Sequence, residues 1–206
     1  KIWENTINKY FPKKKISINY PKYFNYSAVV IMDCSSFERV PESHLIKDVE
    51  WVINIDHHQD NSHFGKINVV ENRSSVGEIM SNIHYYANFL MTKPIANYLY
   101  AAIAFDTGQF RHSNTTSSTL KLASSLLDAG ADTLTIYRNM FEQKSEFYFK
   151  VLKDSLDRAV FDSEYGIVYT SLQSNVHNEK VSVIDLYRQW KDCRVALVFQ
   201  ELSRLE

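Results

Sequence analysis

The sequence predicts an α/β protein, a mostly parallel sheet flanked by helices, followed by the beginning of a second α/β domain. Three observations predict it. Two apolar runs, Ala28-Val-Val-Ile-Met and Trp51-Val-Ile-Asn-Ile, each close on an acid, Asp33 and Asp56. Helical spacing then governs the chain from Ser75 to Gly130, and strand-like runs return after Arg158. Strands alternating with helices imply parallel pairing, and a sheet of that kind holds its ligand beyond the carboxyl ends of its strands. Asp33 and Asp56 fall at those ends.

Each element has its own signal. Unbroken apolar runs such as Ala28–Met32 suit strands covered on both faces. Residues 36–48, with Pro41 and several charges, read as a connector with one short helix, and Lys66–Val70 as a third strand. Ser75-Val-Gly-Glu78 has the form of a capping box, which opens a helix running to about Met91 with Ile79, Ile83, Tyr86 and Leu90 on one face. Pro94 suits the first turn of the next helix, which turns Ile95, Leu99, Ala102 and Ile103 inward and ends at Asp106. A third helix from about Ser117 stops at Gly130, and Asp132 can cap a fourth. Residues 144–158 read as a charged linker helix, Ala159–Asp162 and Gly166–Leu172 as strands, and the run from Arg194 to Gln200 as another. The expected organisation is a first domain over 1–143, the linker helix at 144–158, and a truncated second domain over 159–206.

Composition narrows the function. At 206 residues and 45% hydrophobic, the chain can bury one good core and part of another. No apolar run is long enough to span a bilayer, and no signal leader opens the sequence. Cys34 and Cys193 form no metal or disulfide pattern, so a reducing, cytoplasmic setting is expected. A net charge of −1 argues against a surface for long nucleic acids, which bind by neutralising many phosphates. The run Lys13-Lys14-Lys15 reads as a solvated loop rather than a phosphate contact. Both ends look cut, so the chain is expected to be a fragment of a longer protein.

The chemistry resides in acids and imidazoles converging from separate loops. Hard divalent ions take carboxylate oxygen, and imidazole adds affinity for Mn, Fe, Co or Zn, so Asp33, His57 and Asp106 form a candidate metal set. Taken singly, each has a plainer reading. Asp33 can cap or turn, His57 and His58 can sit in a polar loop with Gln59, Asp60, Asn61 and His63, and Asp106-Thr-Gly-Gln-Phe110 can be a helix end with a glycine turn.

Taken in order, the segments ending in Asp33, Ile55-Asp56-His57-His58, Ser74-Ser75-Val-Gly-Glu78, Asp106-Thr-Gly-Gln-Phe110 and Asn114-Thr-Thr116 make the chain similar to the DHH phosphoesterase superfamily. Within it, the chain resembles the bacterial branch of nano-RNases and 3′-phosphoadenosine 5′-phosphate phosphatases, whose relatives also cleave cyclic dinucleotides. The resemblance covers roughly Ala28 to Leu172. It implies two Mn2+ ions in the intact protein, with Mg2+ or Co2+ as substitutes, bridged by Asp33 and Asp106 and ligated by His57. His58 would bind the phosphate or protonate the leaving oxygen, and Asp56 would orient imidazole from behind. Arg111 is either a substrate-phosphate contact or a plain surface arginine, and Ser75 and Glu78 are helix-cap rather than catalytic residues.

Two family features are missing from the chain as given. The first motif, a histidine followed by two aspartates, has no counterpart, since residues 1–27 contain neither His nor Asp. The C-terminal GGGH segment and a complete second (DHHA1-like) domain are likewise absent. The resemblance implies hydrolysis of short oligoribonucleotides, linear or cyclic dinucleotides or phosphoadenosine phosphate by two-metal activation of a hydroxide, with this fragment a weak catalyst. The expected partners are short RNA or small nucleotides, with no membrane and no long nucleic acid, and the reading allows a homodimer. The alternative is a non-catalytic nucleotide-binding module that keeps the fold. A metal hydrolase acting on amides would carry HExxH, which is missing.

Overall fold

The computed structural model describes residues 26–172 and 180–200. The basic run at Lys13 and the segment before Tyr26 lie outside them. The chain divides into two compact units, Lys1–Met140 and Phe141–Glu206.

In the first unit, β1 (Ala28–Met32), β2 (Trp51–Asp56) and β3 (Ile67–Val70) form a parallel sheet in the order β1-β2-β3. Met32 pairs with Ile55 and Asp56 with Val70, so Asp33 and Asp56 emerge side by side at the same end. The Asp33 amide extends the ladder by donating to the Ile55 carbonyl at 3.0 Å. The strands match the apolar runs, but among the described residues β1 is not covered on both faces. It is an edge strand, with Val30 52% and Met32 53% exposed among the described residues. Two 3-10 turns, Phe37–Arg39 and Ser43–Ile46, form the connector.

The helices follow as α1 (Val76–Tyr86), α2 (Lys93–Asp106), α3 (Ser117–Asp128) and α4 (Thr133–Tyr137). Helix α1 ends five residues earlier than its periodicity predicts. Asn88 adopts φ +58, and the amides of Ala87, Asn88 and Phe89 close back onto Ile83, Tyr85 and His84. A left-handed asparagine ends a helix as glycine does, and Tyr86 and Leu90 are consequently 84% and 81% exposed rather than packed.

The capping box expected at Ser75 and Glu78 does not form. Ser75 occupies the cap position, but its hydroxyl has no partner, because the buried Glu78 carboxylate instead accepts from the Ser74 hydroxyl at 2.7 Å. A reciprocal box does form at α3. There the Thr119 amide donates to Thr116 Oγ1, and the Thr116 amide donates to Thr119 Oγ1. Gly130 leaves α3 at φ +94, and Asp132 caps α4 by accepting from the Thr135 amide at 3.0 Å. Ala96, Ile103 and Leu126 are the buried centre joining α2 to α3. This packing fixes α2 and, with it, the position of Asp106.

In the second unit, α5 (Glu146–Asp157) precedes β4 (Val160–Asp162), β5 (Ile167–Leu172), α6 (Lys180–Tyr187) and β6 (Val195–Gln200). The sheet order is β4-β5-β6, with β4 and β5 antiparallel and β5 and β6 parallel. Helix α5 contributes Val151 and Leu152 to this unit's core beside Leu172, Val168, Val183 and Tyr187. The Tyr187 hydroxyl donates to the Ser155 carbonyl at 2.6 Å. No helix among the described residues is long and apolar enough to cross a membrane.

The buried face of α3 can be checked with two adjacent leucines. Leu126→Ala should cost about 2–5 kcal/mol in urea unfolding, whereas Leu127→Ala, on a residue 44% exposed, should cost about 1 kcal/mol or less. Equal losses would mean that the helix faces are wrongly assigned.

Candidate metal centre

The site is built on three chain turns. Asp33 follows β1 with φ +59, a left-handed conformation that side chains other than glycine rarely adopt and that clusters at functional sites. Asp56 ends β2, and His57 and His58 leave the sheet with it. Asp106 ends α2 and is followed by three consecutive left-handed residues, Gly108, Gln109 and Phe110.

That last turn is pinned by the fully buried Thr107. Its hydroxyl donates to the Ile103 carbonyl at 2.6 Å and accepts from the Phe110 amide at 3.0 Å. Gly108 suits this turn: its φ is +53, and a Cβ there would force the exposed His112 ring to shift. Asn114 Nδ2 reaches the carbonyls of Asp106 and Ser74, both at 3.1 Å, tying the turn to the start of α1.

These turns bring the predicted residues together. His57 Nε2 lies 3.3 Å from Asp33 Oδ1 and 3.8 Å from Asp106 Oδ2. One ligand atom from each of Asp33, Asp56, His57 and His58 also falls within 4.8 Å of the others. This second grouping overlaps the predicted trio without matching it, and hydrogen bonding distinguishes the two. Asp56 is fully buried, with its oxygens committed to the His57 amide at 2.8 Å, to His58 Nδ1 at 2.7 Å and to Asn61 Nδ2. Asp33 keeps an exposed carboxylate, 55% accessible, and Asp106 a partly accessible one, 23%.

The two imidazoles are held differently. Asp56 grips His58, while His57 Nδ1 lies 3.2 Å from the Arg73 carbonyl. A carbonyl only accepts, so a proton on Nδ1 serves the Arg73 carbonyl, and Nε2 is the ring nitrogen that faces Asp33 and Asp106. Two carboxylates and an imidazole nitrogen are a donor set that suits a divalent cation, so the residues fit a metal.

Charge coupling follows the same geometry. Burial pushes the Asp106 carboxyl up, the Asp33 charge adds to this, and His57 and His58 offset part of it. Burial would also raise Asp56, but the bonds from His58, Asn61 and the His57 amide outweigh it and hold the carboxyl low. His58 is raised above the ordinary imidazole value, chiefly by its bond to Asp56 against the opposing effect of burial.

Arg111 sits on the exposed turn beyond Asp106, and its Nε donates to the Gly108 carbonyl at 2.8 Å. Sequence reasoning missed Arg73, which acts through its backbone and leaves no signal in residue type. It also passed over Asn54, although a polar residue inside the apolar run of β2 is such a signal. Asn54 is fully buried and donates to the Cys34 carbonyl at 3.1 Å.

The Asp56–His58 pair has a signed pH consequence. The His58 contribution to stability is complete below the unfolded imidazole pKa and is lost as pH rises through its higher folded value. The Asp56 contribution is present above the unfolded carboxyl pKa and is lost as pH falls through its lower folded value. In metal-free protein, Asp56→Asn should therefore lower the His58 titration midpoint, followed by NMR of the ring protons. An unchanged midpoint would remove Asp56 as its cause.

No family model matches the chain. It is 30% identical over 143 residues, 69% of its length, to the probable bifunctional oligoribonuclease and PAP phosphatase NrnA of Streptococcus mutans, covering 44% of that protein. It is also 30% identical over 112 residues, 54% of its length, to the bifunctional oligoribonuclease and PAP phosphatase NrnA of Thermus thermophilus, covering 34% of it. The matched stretch thus spans less than half of either curated relative. Among solved structures, an exopolyphosphatase-related protein from Bacteroides fragilis superposes with a TM-score of 0.72 at 20% identity. That match covers 81% of this chain and 52% of the other, and it supports the same α/β fold. With Asp56-His57-His58 at the end of a parallel strand and Asp106-Thr-Gly-Gln-Phe110 turned toward it, the chain belongs to the DHH phosphoesterase family.

Proposed function

We propose that this chain carries the metal centre of a phosphoesterase that hydrolyses short oligoribonucleotides, linear or cyclic dinucleotides, or 3′-phosphoadenosine 5′-phosphate. The carrying observation is His57 Nε2, which faces Asp33 Oδ1 at 3.3 Å and Asp106 Oδ2 at 3.8 Å from three separate turns. The names of the relatives, bifunctional oligoribonuclease and PAP phosphatase, support the choice of substrates. A net charge of −1 suits small substrates better than long nucleic acid.

Asp33, His57 and Asp106 would hold the cation, for which Mn2+ is the proposed species. A divalent ion bound there would neutralise charge on a phosphoryl group and make water a better nucleophile at neutral pH. The protein side chains supply the rest. The Arg73 carbonyl keeps the His57 proton on Nδ1 and so keeps Nε2 available. Asp56 fixes the His58 ring and raises its proton affinity, which suits His58 to deliver a proton to the departing oxygen. Arg111 has further guanidinium donors beyond the one given to Gly108, and these are proposed to meet a substrate phosphate. The second unit is proposed as the start of the substrate-binding domain, and a cytoplasmic location goes with the reading.

A panel of dinucleotides, cyclic dinucleotides and phosphoadenosine phosphate, each with Mn2+, tests the proposal on the full-length protein. Asp106→Asn should lower kcat/KM by roughly a hundredfold or more, the scale for losing a group that stabilises transition-state charge. A chelator should abolish turnover, and added Mn2+ should restore it. Equal rates for wild type and variant would remove Asp106 from the mechanism. A wild-type protein that binds the panel but cleaves none of it would favour a nucleotide-binding module.

A further inference from the structure

We propose that Asn61 is a positioning residue of the metal centre: with Asn54, its buried amide fixes Asp33 relative to His58 and thereby sets how tightly a cation binds. The inference rests on the metal-dependent reading above.

Asn61 Nδ2 lies 2.9 Å from Asn54 Oδ1 and 3.2 Å from the Cys34 carbonyl, and it contacts Asp56 Oδ2. An amide has two N–H groups, so it fully serves two acceptors. The Cys34 carbonyl already receives Asn54 Nδ2 at 3.1 Å, which leaves Asn61 for Asn54 and Asp56. The result is a continuous bridge. It runs from Cys34, the neighbour of Asp33, through Asn54 and Asn61 to Asp56, and from the other Asp56 oxygen to His58 Nδ1. A second tie runs parallel to it, since the Ser62 amide donates to the Ser35 carbonyl at 2.8 Å.

A purely local role does not account for this arrangement. Asn61 Oδ1 accepts from the His63 amide at 2.7 Å, a turn that uses only the oxygen. The nitrogen is free to point elsewhere, yet it is turned inward to two polar groups that are themselves fully buried, Asn54 and Asp56. Asp33 makes such a bridge necessary. Its left-handed backbone is not self-sustaining, and its surroundings must hold it.

Calorimetric titration of Mn2+ into the 206-residue chain and its variants, with thermal unfolding of each metal-free protein, tests the idea. Asn61→Ala should raise the Mn2+ Kd about 10- to 100-fold, the range for removing a group that orients metal ligands. Ile46→Ala, a buried change in the 3-10 turn between β1 and β2, should lower the unfolding midpoint and leave the Kd unchanged, separating positioning from general loosening. Asn61→Ser keeps the His63 turn through its hydroxyl but not the inward amide, so it should weaken Mn2+ in the same range and decides the matter if the alanine variant does not fold. A folded Asn61 variant that binds Mn2+ as tightly as wild type overturns the inference. If wild type itself fails to bind Mn2+, or binds it no better than Asp33→Asn, the metal-centre reading falls and this inference with it.

Discussion

A carboxylate removed from water must be surrounded by donors, and Asp56 is removed completely. Its two oxygens collect the His57 amide, the His58 ring and the Asn61 side chain, which come from the loop that leaves β2. Satisfying one buried charge therefore dictates the path of that loop and the orientation of His58. It also links the loop to the Asp33 turn through Asn54. Replacing Asp56 would leave His58 without its partner and the loop without its centre.

Around that fixed point the two histidines divide the work. His58 is bound to an acid and gains proton affinity, whereas His57 is bound to a neutral carbonyl and presents Nε2 to two acids. Adjacent residues of one type thus acquire opposite chemistry from what stands behind each ring. Left-handed backbone also occurs at this place, at Asp33 and in the turn after Asp106, where specific bonds hold it. Such strain persists where the surroundings over-determine it, and here it aims two carboxylates from different elements at one imidazole.

Much of this was legible in the residues. The runs before Asp33 and Asp56 identified the strands because short, largely apolar runs closed by an acid suit strands of a parallel sheet, and parallel register then put both acids at one end. The end of α2 at Asp106 was legible because Pro94 and the apolar spacing marked that helix. The end of α1 was misread, since Phe89 and Leu90 continue the apolar spacing while the stop comes from the backbone of Asn88. The capping box was misassigned because Ser74 and Ser75 are neighbours, and only packing decides which hydroxyl meets Glu78. The support of His57 left no trace, as any residue at position 73 offers the same carbonyl.

The central claim is that three turns converge on one cation. Crystals grown with Mn2+, with anomalous scattering measured at the manganese edge, address it directly. The account predicts a peak in coordination contact with Asp33, His57 and Asp106, with Asp56 still turned inward to His58 and Asn61. A peak bound elsewhere, or one coordinated by Asp56 with Asp106 turned away, would contradict it.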